Sequence, residues 1–216
     1  MDNEVFRAWL ASAAEAIKVN RDHLTQLDAA IGDADHGTTM ACGFAAVTAA
    51  LDAAATSAKS AGAHPATPGA LLTLTGSTLV SKVGGASGPL YGVAFRRAGR
   101  ALGVAAEVDL VGLEQALEAA LAGVQQLGAA REGDKTMVDA LAPATRAFAQ
   151  SIAAGESQAA AFAALAEAAA AGAAATAAMQ ARKGRASYIG PRSVGHEDPG
   201  AASTALILAA LRDVAA

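Results

Sequence analysis

The sequence predicts an all-α protein, an antiparallel bundle or barrel of about eight or nine helices. Apolar residues make up 53% of the 216 residues and aromatic residues only 4%. Much of the apolar fraction is alanine, a small residue and the best helix former. Apolar residues recur at helical spacing in segment after segment, and no segment alternates polar and apolar residues long enough to predict a strand.

The first half of the chain divides at glycine-marked loops. Asp2 or Asn3 is a plausible N-cap for the first helix, which carries the apolar repeat of residues 5–17. Residues 56–67 have no helical pattern of their own and are predicted to be flexible. The predicted helices of this half span residues 5–17, 24–31, 38–55 and 71–83.

The second half begins after the glycine-rich break at residues 84–89. Asp109 is a plausible N-cap, and Pro143 is expected to bend its helix rather than end it. Pro199 opens the last helix, at the position where its missing N–H matters least. The predicted helices span residues 90–102, 110–124, 136–153 and 157–181, followed by the one that begins at residue 199.

Four polar loops follow alternate helices. They comprise residues 32–37, 84–89, 128–135 and 182–200. Alternate loops of an up-and-down antiparallel bundle share one end. The four loops are therefore expected to meet at one mouth.

Composition and charge narrow the function classes. A net charge of −4 and a pI near 5.5 argue against a general nucleic-acid or anionic-membrane surface. The single cysteine, Cys42, fits a reducing cytoplasm and is predicted to be a core residue rather than a nucleophile. No signal-peptide pattern opens the chain. The alanine-rich residues 159–179 are expected to form a packed helix of a soluble protein rather than a membrane span. The chain is expected to be a single domain, residues 1–216, located in the cytoplasm.

The most informative run is residues 27–38, which holds Asp28, Asp33 and Asp35. Capping and turn chemistry would explain one such aspartate. Three like charges this close raise their own pKa values unless a cation lies among them, and their oxygens suit Mg²⁺. A calcium-binding EF-hand loop starting at Asp33 would need glycine and glutamate where Thr38 and Phe44 stand. The run therefore predicts a magnesium site.

Phosphate-binding features accompany the aspartates. The His36-Gly37-Thr38 side of the run leads into a helix, and helix N-termini attract phosphate. The His36 side chain could donate to a phosphate, orient an aspartate or be a plain loop residue. Residues 84–88 offer backbone N–H groups to an anion. Residues 128–136 nearly form a Walker A loop, but Asp134 interrupts it and no strand precedes it, which excludes a P-loop NTPase.

A basic segment at residues 182–185 and Arg192 stands out in this acidic chain. It could be an ordinary solvated loop. Facing three aspartates, a guanidinium could instead hold a phosphate in its planar fork, and Arg185 beside a flexible glycine is the best candidate. Asp198 caps the last helix and could have no further role.

Together these segments resemble the nucleotide-binding L subunit of bacterial dihydroxyacetone kinase, the DhaL family. The resemblance spans nearly the whole chain in the family's order. It is carried by LDAAIGDADHG at residues 27–37, GGASGPLYG at 84–92, GDKTM at 133–137, MQARKGRASY at 179–188 and RSVGHEDPGA at 192–201.

The resemblance implies a barrel of about eight antiparallel helices with ADP or ATP at one end. It also implies two Mg²⁺ ions on Asp28, Asp33 and Asp35, and a catalytic role for Arg185. The family usually has asparagine where this chain has Thr39, which leaves nucleotide affinity and exchange open at that position. The implied nucleotide contacts are His36, Gly37, Thr38, Thr39, Ala86, Ser87, Gly128, Met137, Arg185, Asp198, Pro199 and Gly200.

The resemblance further implies that the chain is half of an enzyme. The family's dihydroxyacetone is held by a separate K subunit, and the L subunit is expected to be a homodimer within a hetero-oligomer, without nucleic-acid or membrane partners. The phosphate donor is either ATP, or bound ADP recharged by the phosphohistidine M subunit of the phosphotransferase system. Two alternatives stay open: a nucleotide-holding regulatory or adaptor protein, and a kinase subunit for another small ketone or sugar.

Overall fold

A computed structural model describes residues 1–62, 64 and 66–216, and these contain α-helices and short 3-10 turns but no strand. The 3-10 turns, Thr176–Ala178 and Arg185–Ser193, lie between the last two helices. The α-helices are α1 (Asn3–Val19), α2 (Arg21–Ile31), α3 (His36–Ser60), α4 (Pro68–Lys82), α5 (Ser87–Leu102), α6 (Leu110–Gly128), α7 (Val138–Ala153), α8 (Gln158–Ala175) and α9 (Pro199–Ala215). The predicted all-α class is confirmed.

Most helix starts follow from local capping. Asp2 accepts hydrogen bonds from two N–H groups of α1, and Asp109 accepts one from Gly112 N at 2.7 Å. Pro199 occupies the first position of α9, as predicted. α7 runs on past Pro143 to Ala153, so this proline does not end the helix.

Several helix boundaries differ from the sequence prediction. α3 continues to Ser60, and so extends helix into the predicted flexible stretch; there the hydroxyls of Thr56 and Ser60 donate to carbonyls one turn earlier. Within that stretch, Ala63 and Pro65 lie outside the described residues. α5 begins at Ser87 instead of after the glycine-rich break, since proline is tolerated in a first helical turn.

The prediction that Cys42 is a core residue is wrong. Its side chain is exposed on α3. The buried face of that helix follows Met40, Phe44 and Val47. Cys42 is two residues from Met40, and a step of two residues turns a helical side chain about 200° away.

An aromatic cluster joins the first and last helices to the middle of the chain. Trp9 lies with its ring centroid 5.9 Å from those of both Phe6 and Phe95, and Phe95 lies 6.3 Å from Phe44. The indole N–H of Trp9 donates to the carbonyl of Ile207 at 2.9 Å. α1 and α9 therefore pack together and close the arrangement of helices.

Close packing of α4 on α5 depends on small residues. A methyl group added at Gly99 would lie 2.5 Å from the carbonyl oxygen of Gly69 and 2.6 Å from the hydroxyl of Thr73. We expect Gly99→Ala to lower the free energy of unfolding by about 1–3 kcal/mol, because the helices must move apart. Urea denaturation measures the loss. Gly84→Ala is the control, since nothing lies within 4 Å of the added methyl, and equal stability of the two variants would contradict the prediction.

Two helical segments, His36–Ser60 and Gln158–Ala178, are long and apolar enough by composition to cross a membrane. Core helices of soluble proteins meet the same criteria. α8 places Phe162 and Leu165 in the core with no exposed surface, between α7 and α9.

Candidate functional site

A cavity of about 270 Å³ lies at the end of the molecule where α3, α5, α7 and α9 begin. Their first residues, His36, Ser87, Val138 and Pro199, all line it. Residues of the four polar loops line the same cavity, as the alternation of helices predicts. Helix N-termini carry partial positive charge and free N–H groups. Four of them around one space favour an anionic ligand such as phosphate.

The three aspartates lie together beside this cavity, which Asp28 and Asp35 line and Asp33 does not. Asp28, in the last turn of α2, accepts hydrogen bonds through Oδ2 from the N–H groups of Asp35 at 2.8 Å and His36 at 3.1 Å, so it caps α3 from another helix. Ala34 has a φ of 61° and turns the chain between Asp33 and Asp35. One carboxylate oxygen from each aspartate lies within 4.8 Å of the others.

The aspartate cluster carries unbalanced negative charge. The pKa of Asp35 is raised by partial burial and by the carboxylates of Asp33 and Asp28, while Arg185 lowers it. Gly32 leaves room for this arrangement, because a methyl group there would lie 2.0 Å from Asp28 Oδ1. A divalent cation bound by the three carboxylates would relieve the repulsion, and oxygen donors of this kind suit Mg²⁺.

Arg185 reaches this cluster from the segment between α8 and α9. Its guanidinium lies 3.1 Å from Asp33 Oδ2, and its side chain remains 66% exposed. Gly184, with a φ of 62°, supplies the left-handed backbone turn immediately before it. Exposed ion pairs contribute little to stability. The guanidinium is therefore free to exchange its carboxylate partner for an anionic ligand.

His36 is held by hydroxyl groups on two other helices. Its Nδ1 lies 3.2 Å from Ser87 Oγ and its Nε2 lies 2.9 Å from Ser203 Oγ. Tyr91 Oη lies 2.7 Å from the same Ser203 hydroxyl. Burial lowers the pKa of His36 to about 4, although the carboxylate of Asp28 opposes the shift. The ring is neutral at pH 7 and has a fixed orientation beside the cavity.

The loop before α7 forms the opposite wall. Buried Asp139 accepts hydrogen bonds from Gly133 N at 2.5 Å and Thr136 N at 2.8 Å, which fixes the loop's backbone. Asp198 caps α9 by accepting from Ala201 N at 2.8 Å. Burial raises the pKa of Asp198 to about 7, while the Ala201 N–H and the Lys135 ammonium lower it.

The raised pKa of Asp198 predicts a pH dependence of stability. In the folded chain its carboxyl holds a proton above its ordinary pKa of 3.8, so its ionisation costs stability as the pH rises from about 4 to about 7. Asp198→Asn keeps a capping oxygen but cannot ionise. We expect the variant's free energy of unfolding to increase relative to the unsubstituted chain across this window, by at most about 1.4 kcal/mol per pH unit. Urea denaturation at several pH values measures the difference, and a difference independent of pH would contradict the assignment.

Most of the residues singled out from the sequence meet at this cavity. Gly37 instead packs α3 against α2, since an added methyl would lie 2.0 Å from the Arg21 carbonyl oxygen. Thr38 is exposed, and Thr39 donates to the carbonyls of Asp35 and His36. Those that line the cavity are Asp28, Asp35, His36, Ala86, Ser87, Gly128, Met137, Arg185, Asp198, Pro199 and Gly200.

Sequence reasoning missed several residues of the site. Lys135 and Tyr91 line the cavity, and Ser203 holds the His36 ring. Tyr91 lies within the run at residues 84–92 that carries the resemblance, but neither it nor Ser203 has a local pattern that indicates a place in the site. Lys135 carried a weak signal, a lysine inside a glycine-marked loop that fails the Walker A pattern.

The chain is similar to known proteins over most of its length. The model of the DAK2 domain matches residues 30–213. The chain is 41% identical over 200 residues to the PEP-dependent dihydroxyacetone kinase, ADP-binding subunit DhaL of Escherichia coli, covering 93% of this chain and 91% of that one. It is 39% identical over 197 residues to the L-erythrulose 1-kinase of Mycolicibacterium smegmatis, covering 89% of this chain and 32% of that one.

A solved structure has the same architecture. The dihydroxyacetone kinase from C. freundii in complex with AMP-PNP and Mg²⁺ matches 99% of this chain with a TM-score of 0.68 and 29% identity. The match spans 34% of that enzyme, so this chain corresponds to about a third of its length. The extent of the sequence matches shows that this chain belongs to the DAK2 domain family.

Proposed function

We propose that this chain is the nucleotide-binding subunit of a multi-component dihydroxyacetone kinase, which transfers a phosphoryl group from Mg-bound nucleotide to a ketone held on a separate K subunit. One observation carries the proposal: Asp28 and Asp35 of the aspartate cluster line the same cavity as the N-termini of four helices. This combination provides for a divalent cation and for phosphate within one small volume.

Asp28, Asp33 and Asp35 would hold the metal, and two Mg²⁺ ions are proposed from the family resemblance. Asp28 already uses Oδ2 to accept two backbone N–H groups, which leaves Oδ1 for a cation. The other two carboxylates are exposed, and that of Asp33 would turn from the Arg185 guanidinium toward the cation. Bound Mg²⁺ would supply charge neutralisation at the phosphates.

The nucleotide would lie across the cavity from the metal side to the apolar side. The N–H groups of Gly37, Thr38, Ser87 and Gly88, in the first turns of α3 and α5, suit phosphate oxygens, because helix geometry gives them no acceptor within the helix. Leu90 and Val124 provide an apolar surface for the base. The proposed contacts are His36, Gly37, Thr38, Thr39, Ala86, Ser87, Gly128, Met137, Arg185, Asp198, Pro199 and Gly200.

In the transfer step this chain would position the phosphates and neutralise their charge, since phosphoryl transfer requires little covalent chemistry from the protein. Neutral His36 orients the Ser87 hydroxyl at the start of α5. The Arg185 guanidinium would leave Asp33 and bind the transferred phosphoryl group in its planar fork. The nucleophile is the hydroxyl of the acceptor, so it belongs to the partner's substrate.

The partners are proposed from the relatives. The name of the Escherichia coli relative specifies dependence on PEP, which supports bound ADP recharged by a phosphohistidine M subunit over exchange of free ATP. We propose that residues 1–216 form one domain that works in the cytoplasm as a homodimer within a hetero-oligomer.

A second ketone is a candidate substrate. The L-erythrulose 1-kinase of Mycolicibacterium smegmatis is 39% identical over the matched region, nearly as similar as the dihydroxyacetone kinase subunit of Escherichia coli. Because the ketone would be held by another subunit, the residues of this chain serve either substrate.

Native mass spectrometry of the purified chain, with and without a Mg²⁺ chelator, tests the nucleotide site. Retained ADP with Mg²⁺, lost on chelation, is the expected result. Reversible binding of added ATP·Mg²⁺ to a bare chain would favour ATP as the donor. Binding of neither nucleotide would contradict the proposal. Turnover with a K subunit, using dihydroxyacetone and erythrulose in parallel, then identifies the ketone, and nucleotide binding without turnover of either would indicate an adaptor.

A further inference from the structure

Lys135 is a buried lysine in the wall of the cavity. The residue is 1% exposed, although lysine is almost never fully buried unless it is paired. Its φ is 61°, in the left-handed region that residues other than glycine seldom adopt. A buried ammonium and an unfavourable backbone conformation at one residue persist only where the surroundings hold both in place.

The Lys135 ammonium joins three parts of the chain. Nζ donates to the carbonyl of Thr176 at 2.7 Å and to the carbonyl of His196. Thr176 follows α8, and His196 lies two residues before Asp198, the cap of α9. The lysine itself lies in the loop before α7. The Lys135 side chain therefore connects both ends of the segment between α8 and α9, which carries Arg185, to the loop before α7, which leads to Met137.

Further hydrogen bonds make the same connection. The N–H of Arg182 donates to the Asp134 carbonyl at 3.0 Å, directly beside Lys135. The N–H of Asp198 donates to the Thr176 hydroxyl at 2.8 Å. A methyl group added at Gly200 would lie 3.6 Å from Met137 Cβ, so the start of α9 is in close contact with the loop.

The charge of Lys135 suits this location. The carboxylates of Asp198, Glu197 and Asp139 lie near enough to favour the ammonium form, although burial lowers the pKa of the lysine. Asp198 and Asp139 are themselves buried. Without the ammonium, these two carboxylates would face each other in a medium that screens charge poorly.

We propose that Lys135 is a positioning residue for the nucleotide: its ammonium holds the α8–α9 segment against the loop before α7, so that Met137 and Asp198 stay at fixed places on the cavity wall. This inference rests on the proposed nucleotide-binding function. Lys135 acts through the backbone it holds, and hydrogen bonds from a charged group are among the stronger ones in proteins.

The test compares Lys135→Met with Lys59→Met, a substitution of an exposed lysine in the last turn of α3, at the opposite end of that helix from the cavity. ADP affinity in the presence of Mg²⁺ is measured by calorimetry at a temperature where circular dichroism shows both variants folded. We expect Lys135→Met to weaken ADP binding about tenfold or more, Lys135→Arg to recover part of the loss, and Lys59→Met to bind as the unsubstituted chain does.

Hydrogen exchange separates positioning from general destabilisation. Lys135→Met should speed exchange of the Arg182, Gly195 and Asp198 amides, which bond across this junction, and leave the amides of α1 and α4 unchanged. Unchanged ADP affinity in a folded Lys135→Met variant would overturn the inference while leaving the nucleotide site intact. If the unsubstituted chain itself binds no ADP or ATP, that result contradicts the proposed function rather than the role of Lys135 alone.

A second variant covers the case in which Lys135→Met does not fold. Thr176→Val keeps the side-chain shape but removes the hydroxyl that accepts the Asp198 N–H. It loosens the same junction from the other side, and we expect weaker ADP binding with faster exchange at Asp198 and Gly195. Wild-type ADP affinity in Thr176→Val would overturn the proposed role of the junction.

Discussion

Asp33→Ala and Asp35→Ala should each abolish Mg-dependent nucleotide binding, weakening ADP affinity at least about a hundredfold. Both side chains are exposed members of the aspartate cluster, and neither accepts a hydrogen bond that supports a helix. Their removal also relieves like-charge repulsion that raises the pKa of Asp35. Helical content should therefore stay the same, and thermal stability without Mg²⁺ should stay equal or rise.

Calorimetry with ADP, with and without Mg²⁺, measures the effect, and circular dichroism checks the fold. Asp22→Ala is a matched control, since Asp22 is an exposed aspartate in the first turn of α2 whose one ion pair among the described residues is with its neighbour Arg21. Asp28→Ala should lower both metal affinity and the free energy of unfolding, because Asp28 also caps α3. The other three aspartate variants should leave stability unchanged or raise it. Unchanged ADP affinity in both Asp33→Ala and Asp35→Ala would remove the metal assignment.

Arg185→Ala should slow phosphoryl transfer about a thousandfold, the lower end of what a phosphate-binding arginine contributes to such reactions. Its guanidinium lies at the aspartate cluster on an exposed side chain, so its loss leaves an unchanged fold. ADP affinity should fall much less than the transfer rate, because the guanidinium is proposed to act on the moving phosphoryl group. Arg185→Lys should be intermediate, since lysine keeps the charge but not the planar fork.

The measurement is single-turnover transfer with a saturating K subunit. Arg192→Ala is the control, an exposed arginine of the same 3-10 segment without an ion pair within the described residues. A rate near that of the unsubstituted protein in Arg185→Ala would exclude a catalytic role for this residue. An equal loss in both arginine variants would instead indicate that the segment's charge recruits the partner.

The helical architecture could be predicted because its signals are local. Apolar spacing places the buried faces of α1 and α6, and Asp109 and Pro199 mark helix starts that depend only on neighbouring residues. The gathering of four loops at one end also follows from the chain, because antiparallel neighbours alternate direction. Asp28, Asp33 and Asp35 were identifiable for the same reason, since eight consecutive residues contain all three.

Boundaries that depend on distant partners could not be predicted. α3 begins at His36 because Asp28 on another helix accepts the N–H groups that start it. The prediction of a buried Cys42 failed because the buried face of α3 is chosen by what packs against it.

The sequence by itself determined the all-α class, the alternation of helices and loops, and the acidic loop that points to a metal. Only the tertiary structure decided that Lys135 is buried on two carbonyls, that Ser203 and Ser87 fix a neutral His36, and that Arg185 meets Asp33. The physical reason is one of range. Helical periodicity and capping act within a few residues, whereas a buried charge is stabilised by groups tens of residues away that only the assembled fold brings near.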